Sequence, residues 1–422
     1  MQQQTLADLA SRAPDGRRRG IASICSAHPF VIEATLQQAA ADGSTVLIEA
    51  TCNQVNHRGG YTGMTPAAFR DFVFGMAETA GLRKERILLG GDHLGPNPWK
   101  GRPADEALHE SEHMMAAFVE AGFTKIHLDT SMACSDDPVP LPEATIAARA
   151  ARLAAVAERA AASAGAVPHY VIGTEVPIPG GAHETIATLE VTRPQAAIAT
   201  VESHRGAFAA AGIGAAFERV IALVVQPGVE YGSGNVVPYV RAKAASLSAA
   251  LGELPDMVFE AHSTDYQSVE CLGALVQDGF AILKVGPWLT FAMREALYGL
   301  DAIARFLRPQ MPSLIDAMEE VMLARPADWQ PYYGGSPDEQ HVARHFSYSD
   351  RIRYYWPQPQ ARAAVDRLLL GLQDVALPET LVSQYLPRLY GRVKSGALAG
   401  EPRALIAESI RDVLRTYAAA CR

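Results

Sequence analysis

The sequence has 422 residues, of which 49% are hydrophobic and 20% are charged, and its formal net charge is −9. This composition is typical of a globular enzyme, and the negative charge argues against nucleic acid or an anionic membrane surface as the main partner. The five cysteines form no CxxC pair, the N-terminus has no apolar signal segment, and no apolar run has the length of a membrane span. We therefore expect a cytoplasmic protein.

From residue 21 onward, short apolar runs alternate with alanine-rich helical segments, among them 145–164 and 239–251. Eight strands that alternate with helices are typical of an α/β protein with a (β/α)8 (TIM) barrel, which we predict over residues 1–300. A doubly wound sheet is the alternative, but the dinucleotide fingerprint GxGxxG is absent after the first strand. The predicted strands are 21–27, 45–51, 87–93, 125–131, 169–175, 219–228, 257–263 and 281–287.

From about residue 300 helical periodicity replaces the alternation, which predicts a helical extension over 301–422 that packs on the barrel. Within it, segment 326–360 combines clustered aromatic residues with Arg344, Arg351 and Arg353. This segment could cover the barrel mouth and supply an anion-binding arginine, for which we select Arg351. The alternative is an aromatic packing interface with solvated arginines. The predicted helices are 313–324, 359–373, 380–393 and 402–420.

The stretch 87–99, ILLGGDHLGPNPW, is the strongest local signal for chemistry. Asp92 and His93 follow a buried apolar run and a glycine pair, and the prolines after them force a shaped loop. A carboxylate beside an imidazole at the end of a barrel strand indicates acid/base or metal chemistry. The alternative is that Asp92 caps the next turn and His93 packs in the core.

Polar residues occur at the end of nearly every predicted strand, where barrel enzymes place their catalytic groups. Charged groups at this depth are costly to bury unless they are paired, hydrogen-bonded or bound to metal. We predict acid/base roles for Asp92, Glu175 and Glu260, and metal-ligand roles for His93, Asp129 and His262. The predicted substrate-binding residues are His28, Glu49, Asn53, Gln54, Ser131, Gln226, Lys284, Gly286 and Arg351.

Ligands of these types suit a divalent metal, Zn²⁺ or Mn²⁺, which would polarise a sugar carbonyl while a carboxylate moves protons. Lys284 offers a rival, since a Schiff-base lysine acts on the same carbonyl, although a lysine in a barrel strand more often pairs with a carboxylate. The glycines Gly59-Gly60, Gly180-Gly181 and Gly286 are candidate positions for binding a phosphate through the backbone.

The sequence also argues against two functions, a zinc protease and an ATP-dependent kinase. Residues 109–113, HESEH, match the zinc-protease motif HExxH. They fall in the helix predicted after the third strand, which in a barrel belongs to the outer ring, and the glutamates around them indicate a solvated face. We therefore reject a protease. The sequence also has no GxxxxGK[ST] loop, so we expect no nucleotide cofactor and disfavour an ATP-dependent kinase.

Several long motifs resemble the Z-type subunits of tagatose-bisphosphate aldolase, a family often labelled tagatose 6-phosphate kinases. The resemblance covers roughly residues 20–420. It implies an oligomeric subunit that supports a catalytic class II aldolase partner. The implied pathway is galactitol catabolism, in which D-tagatose 1,6-bisphosphate is cleaved to glycerone phosphate and glyceraldehyde 3-phosphate. The motifs include EATCNQVNHRGGYTGMTP (49–66), GGDHLGPNPW (90–99), FEAHSTDYQ (259–267) and SYSDRIRYYW (347–356).

The same resemblance leaves an alternative, because some relatives are described as metal-dependent 4-epimerases of ketoses or ketose phosphates. The pair Asp92-His93 is also similar to the catalytic aspartate and the zinc-binding histidine that follows it in class II aldolases. That similarity does not indicate which other histidines would complete a zinc site. The sequence therefore predicts a protein that acts on a sugar phosphate, either with a partner or alone.

Overall fold

The computed structural model describes residues 6–13, 15–174 and 189–422. Eight parallel strands close into a barrel in the order β1-β10-β9-β6-β5-β4-β3-β2, which confirms the predicted TIM barrel. A two-stranded antiparallel hairpin, β7 with β8, lies in the connection after β6. The strands are β1 (Ile21–Cys25), β2 (Val46–Thr51), β3 (Ile87–Leu94), β4 (Lys125–Leu128), β5 (His169–Ile172), β6 (Val220–Val225), β7 (Glu230–Tyr231), β8 (Val236–Val237), β9 (Val258–Ala261) and β10 (Ile282–Val285).

Helices follow the barrel strands, and their ends carry recognisable signals. Proline occupies the first turn of α1, α2, α5 and α8, where its missing N–H costs nothing. Gly43, Gly81 and Gly165 end α1, α2 and α4 in the left-handed conformation. These helices are α1 (Pro29–Asp42), α2 (Pro66–Ala80), α3 (Ala104–Glu120), α4 (Glu143–Ala164), α5 (Pro194–Ala210), α6 (Arg241–Ala250), α7 (Val269–Gln277) and α8 (Pro287–Leu307).

The C-terminal part of the chain is helical, as predicted. The helix predicted over 380–393 is two helices, because Pro387 cannot continue the first one. The predicted boundary near residue 300 falls inside α8, and a separate extension domain stays a prediction. The helices are α9 (Leu314–Ala324), α10 (Pro337–Phe346), α11 (Pro359–Leu372), α12 (Glu379–Tyr385), α13 (Pro387–Lys394) and α14 (Pro402–Ala420).

The last helix, α14, is part of the wall around the barrel. It packs against α1, α7 and α8. Its Tyr417 hydroxyl donates to the backbone oxygen of Thr264 (2.9 Å), which follows β9. At the end of α14, the backbone oxygen of Cys421 accepts from Gly20, just before β1. The C-terminal segment therefore supports the strands that carry the polar residues.

The barrel interior is apolar at its amino end and polar at its carboxyl end. Leu6 and Leu9 of the N-terminal segment pack against Leu47, Val171 and other inward-facing residues, which closes the amino end. Farther along the strands, the inward positions change to charged and histidine side chains. Within the described residues, no helix is long and apolar enough to cross a membrane.

Candidate active site

Five barrel strands bring buried polar side chains to one place. Neighbouring inward positions along parallel strands share a depth in the barrel, so residues distant in sequence meet there. All of the side chains in this group are buried. They are Glu49 on β2, Asp92 and His93 on β3, Lys125, His127 and Asp129 on and after β4, Glu260 and His262 on and after β9, and Lys284 on β10.

Two glycines in and after β3 make the convergence possible. A Cβ on Gly90 would lie 2.6 Å from the side chain of Glu49, and a Cβ on Gly95 would lie 1.7 Å from the backbone oxygen of Asp129. A residue with a side chain would therefore displace Glu49 or the backbone after β4. These close approaches explain why glycine occupies positions 90 and 95.

Two lysines organise the deeper part of the group. Lys125 Nζ lies 2.6 Å from Glu49 Oε1 and 2.7 Å from Glu260 Oε2. Lys284 Nζ contacts the other oxygen of Glu49 and lies 2.5 Å from Asp92 Oδ1 and 3.6 Å from Glu260 Oε1. Because a buried charge is stable only with partners, these ion pairs hold the carboxylates in fixed positions.

The charge state of Lys284 bears on its role. Burial lowers the pKa of Lys284, but the negative charge of Asp92 and of its other acidic neighbours outweighs burial and raises that pKa well above its usual value. A Schiff-base lysine must be neutral to attack a carbonyl. The geometry therefore favours the ion-pairing role of Lys284 over the covalent one.

Three histidines each hydrogen-bond a carboxylate through one ring nitrogen. A carboxylate only accepts, so in the neutral rings of His93 and His262 the bonded nitrogen carries the proton and the other nitrogen keeps a lone pair. His127 Nδ1 has two contacts, the Asp92 carboxylate and the backbone N–H of His93 (3.2 Å). The other nitrogen of His127, Nε2, is buried and has no hydrogen-bond partner among the described residues. The bonded pairs are His93 Nδ1 with Asp129 (2.7 Å), His127 Nδ1 with Asp92 (2.9 Å) and His262 Nε2 with Glu260 (2.9 Å).

The cluster has the composition and compactness of a metal site. One ligand atom from each of Asp92, His93, His127 and His262 lies within 4.8 Å of the other three. Imidazoles that donate their second nitrogen to a carboxylate are the usual metal-binding form of histidine. Three imidazole nitrogens beside a carboxylate suit Zn²⁺ or another divalent transition metal.

The balance between carboxylates and lysines in the network is compatible with such an ion. Its carboxylates, those of Glu49, Asp92, Asp129 and Glu260, outnumber the ammonium groups of Lys125 and Lys284 by two. Buried charge of one sign is costly unless it is balanced. A divalent cation beside the histidines would balance it.

Burial and neighbouring charges set the protonation of the cluster. Burial raises the pKa of Asp92, but the charges of His93 and Lys284 outweigh this effect and hold it well below its usual value. Burial lowers the pKa of His262 to about 3, so this ring is neutral and able to bind metal near neutral pH. Burial also opposes protonation of His93, but Asp92 and Asp129 raise its pKa.

A cavity of about 80 Å³ opens over the cluster and shares Gln54, Tyr61 and Arg353 with a larger outer cavity of about 510 Å³. His93 and Ser263 in its wall have positive φ angles, 48° and 52°. Residues other than glycine adopt this strained conformation mainly where the surrounding structure enforces it, often at functional sites. Other wall residues are Asn53, Gln54, Tyr61, Asp92, Tyr231, His262, Lys284, Gly286, Arg353 and Tyr354.

The HESEH motif lies away from this cavity. His109 and His113 lie on α3, outside the barrel wall, and both side chains are exposed. Glu110, the candidate base of the motif, is ion-paired with Arg58 and hydrogen-bonded to His57. The structure therefore supports the rejection of a protease.

Comparison with known proteins identifies the family. The family model described as "D-tagatose-1,6-bisphosphate aldolase subunit GatZ/KbaZ-like" matches residues 6–422. The chain belongs to this family.

Two similar proteins extend the comparison. A protein of Agrobacterium fabrum (strain C58), named "D-tagatose 6-phosphate 4-epimerase", is 53% identical over 423 residues, which cover 98% of each chain. A crystal structure from Sinorhizobium meliloti 1021, described as "a probable tagatose 6 phosphate kinase", is 58% identical. It superimposes with a TM-score of 0.89 over 96% of this chain and 100% of its own.

Most of the predicted site residues of this GatZ/KbaZ-like chain meet at the cluster or its cavity. Asp92, His93 and His262 form the cluster, and Glu49 and Glu260 lie in the ion network beneath it. Asn53, Gln54, Lys284 and Gly286 line the cavity. Asp129 and Ser131 lie behind the cluster. Asp129 hydrogen-bonds the His93 ring and accepts from the Ser131 hydroxyl (2.7 Å).

Three predicted residues have other locations. His28 accepts from the backbone of Phe30 at the start of α1 and lines an adjoining outer cavity. Gln226 accepts from backbone N–H groups of its own loop. Arg351 stacks on Tyr332 and lines neither cavity. Glu175 and the pair Gly180-Gly181 lie outside the described residues.

The sequence prediction did not select three residues that the structure places in or beneath the site. His127 belongs to the cluster, Lys125 supports the two glutamates, and Arg353 lines the cavity. The spacing Lys125-His127-Asp129 puts all three on one side of β4, which is the signal that could have identified the first two. Arg353 lies in a short 3₁₀ helix, Arg351–Tyr354, which is too short for hydrophobic periodicity to indicate which way its side chains point.

Proposed function

We propose that this chain is a metal-dependent 4-epimerase that interconverts D-tagatose 6-phosphate and its C4 epimer, D-fructose 6-phosphate. The observation that carries the proposal is the buried cluster of three histidines, each hydrogen-bonded to a carboxylate, one of which is Asp92. The similar protein of A. fabrum that is named a D-tagatose 6-phosphate 4-epimerase supports the choice of substrate.

The position of the reacting carbon limits the possible chemistry. In a 2-ketose, C4 is not adjacent to the carbonyl, so its C–H bond is not acidic. The C3–C4 bond, in contrast, can break by a retro-aldol step, because its electron pair is delocalised onto the C2 carbonyl. Recombination on the other face of the C4 aldehyde inverts C4. This route needs a proton acceptor at the C4 hydroxyl and positive charge near the C2 oxygen.

Asp92 is the best-placed proton acceptor for this step. Its Oδ1 is held by Lys284 and His127, and its Oδ2 lies 3.8 Å from His93 Nε2. Asp92 takes the C4 hydroxyl proton as the C3–C4 bond breaks, and it returns the proton after the bond forms again. Its low pKa keeps it ionised before the reaction. Lys284, which faces the same cavity, adds positive charge beside the developing enediolate.

The histidines complete the proposed site. A divalent cation held by His93, His127 and His262 would polarise the C2 carbonyl and stabilise negative charge on its oxygen. Asp129 and Glu260 fix the ring orientations of His93 and His262 through their hydrogen bonds. The small cavity would keep the aldehyde fragment close to the enediolate, which favours recombination over release.

A second candidate is a supporting subunit of a D-tagatose 1,6-bisphosphate aldolase, and the family model favours it. The two candidates share bond chemistry, since aldol cleavage of the bisphosphate breaks the same C3–C4 bond. They differ in whether the chain works alone. A supporting subunit would show turnover only together with a catalytic class II aldolase.

The test is incubation of the purified chain, loaded with Zn²⁺ or Mn²⁺, with D-tagatose 6-phosphate, followed by NMR. We expect D-fructose 6-phosphate to form without a partner, and Asp92→Asn to lower kcat by about 10²- to 10⁴-fold, the usual contribution of a general base. Asp105→Asn is the matched control, since this carboxylate is exposed on α3. Absence of turnover by the lone chain, with cleavage of the bisphosphate restored by a class II aldolase, would contradict the epimerase proposal.

A further inference from the structure

The usual phosphate position of a TIM barrel is occupied by a side chain in this protein. Barrels often bind phosphate at the helix N-terminus after the eighth strand, where backbone N–H groups are free. Here the backbone N–H groups of Gly286 and Trp288, at the start of α8, donate to Asp265 Oδ1 at 3.0 and 2.8 Å. Burial raises the pKa of Asp265 to about 6, and these bonds oppose that effect. A substrate phosphate therefore needs another partner.

Arg353 has unused donors in the wall of the active-site cavity. Its Nη1 donates to the backbone oxygens of Ser349 and Asp350, and its Nη2 donates to the Tyr354 hydroxyl (2.9 Å). A guanidinium has five N–H groups, so the Nε–H and one Nη2–H are left without an acceptor among the described contacts. Within the described residues, no carboxylate lies within ion-pair distance of Arg353. Its charge is therefore available to an anion.

The location of Arg353 suits the phosphate of a substrate that reaches the metal cluster. Arg353 lines the cavity over the cluster together with Asp92 and His93. It also lines an outer cavity of about 510 Å³ whose rim carries Arg362 and Arg403. Neither rim arginine has an ion-pair partner within the described residues, and the three arginines of this cavity outnumber its one acidic lining residue, Asp366, so a path of net positive charge extends from solvent to Arg353. Such a path attracts anions.

We propose that Arg353 is the phosphate-binding residue for the substrate, with its Nε and Nη2 edge on two phosphate oxygens. The inference rests on the proposed function, because it assumes a ketose phosphate with its C4 beside Asp92. The planar fork of arginine matches phosphate oxygens in pairs, and such charge-assisted bonds are stronger than neutral ones. Arg353 therefore sets the preference for a phosphorylated ketose over the free sugar.

The test compares Arg353→Met with wild type on D-tagatose 6-phosphate and on D-tagatose. Methionine keeps an apolar stem against Tyr354, which Arg353 stacks on. We expect KM for the phosphorylated substrate to rise about 10- to 100-fold, the cost of losing a hydrogen bond to a charged group, and the kcat/KM preference for D-tagatose 6-phosphate over D-tagatose to fall by a similar factor. Arg367→Met is the matched control, since this arginine is exposed on α11. Equal effects on both sugars, or none, would overturn the proposal.

Binding of inorganic phosphate separates this inference from the proposed function. Calorimetry on the full chain should detect phosphate binding to wild type and Arg367→Met, and its loss in Arg353→Met. If Arg353→Met loses phosphate binding but wild type shows no epimerase turnover, the phosphate site is supported and the epimerase proposal fails. Turnover with unchanged phosphate binding and KM in Arg353→Met overturns the phosphate site alone. If Arg353→Met does not fold, Arg353→Lys replaces it in the test. Lysine keeps the positive charge but not the paired N–H donors of the guanidinium, so we expect a KM between those of wild type and Arg353→Met.

Discussion

Two of the histidine groups among the described residues have opposite surroundings. His109 and His113 lie one turn apart on α3, with their Nε2 atoms 3.2 Å from each other, and both are exposed. His93, His127 and His262 come from three different strands, are buried, and each hydrogen-bonds a carboxylate. The exposed pair matches a zinc motif in sequence, whereas the buried group does not. Burial and the carboxylates behind the rings, rather than spacing, distinguish a metal centre.

Removal of one buried histidine should have the largest effect. His93→Ala takes away a proposed metal ligand and leaves Asp129 without its hydrogen bond to the His93 ring. We expect metal affinity to fall by more than about 100-fold, because loss of a residue behind a ligand already costs 10- to 100-fold. Metal analysis after dialysis, with equilibrium titration, measures this loss. His109→Ala is the matched control on the exposed pair, and equal losses in both variants would contradict the distinction.

Removal of a carboxylate behind a ligand should have an intermediate effect. Asp129→Asn keeps the size of the side chain but ends the charge-assisted bond to His93 Nδ1. We expect metal binding to weaken by about 10- to 100-fold, with a smaller loss of folding stability. Titration of the metal-free protein with Zn²⁺ measures the change. If Asp129 were itself a ligand, as predicted from the sequence, the loss would match that of His93→Ala.

The pH dependence of stability should show the smallest effect. Burial lowers the folded-state pKa of His262 from 6.5 to about 3, so the unfolded chain binds more protons in that range. This contribution to stability is complete above pH 6.5 and is lost as the pH falls. In metal-free protein, His262→Gln should lose less stability on acidification, by up to about 1.4 kcal/mol per pH unit.

Urea unfolding at pH 7, 6 and 5 measures that difference between wild type and His262→Gln. His28, whose pKa burial also lowers to about 3, contributes the same slope to both proteins and does not affect the comparison. Parallel stability curves for the two proteins would show that the His262 ring is not held neutral by its surroundings.

The sequence predicts the barrel well, because the alternation of strands and helices can be recognised from local hydrophobic patterns alone. It also predicts that Asp92, His93 and His262 lie together, because all three follow buried strands. It does not decide between His127 and Asp129, which face the same side of β4 at different depths. Depth depends on the barrel register, where Gly91 pairs with Ile126 and Leu94 with Leu128 across a bulge.

Arg351 and Arg353 show a second limit. Both lie in one short 3₁₀ helix among aromatic residues, and their surroundings in the sequence are nearly equivalent. In the structure, Arg351 donates to the backbone oxygen of Asp328 and stacks on Tyr332, whereas Arg353 turns to the cavities. The difference comes from the packing of the C-terminal segment on the barrel. Local sequence patterns do not predict this packing.

The most direct test of the metal centre is a crystal structure of the protein soaked with Zn²⁺, with anomalous data at the zinc edge. The account predicts one ion about 2.0–2.1 Å from a ring nitrogen of each of His93, His127 and His262. Asp129 should lie on the opposite nitrogen of His93. An ion between His109 and His113 alone, or one bound through Asp129 without His127, would contradict it.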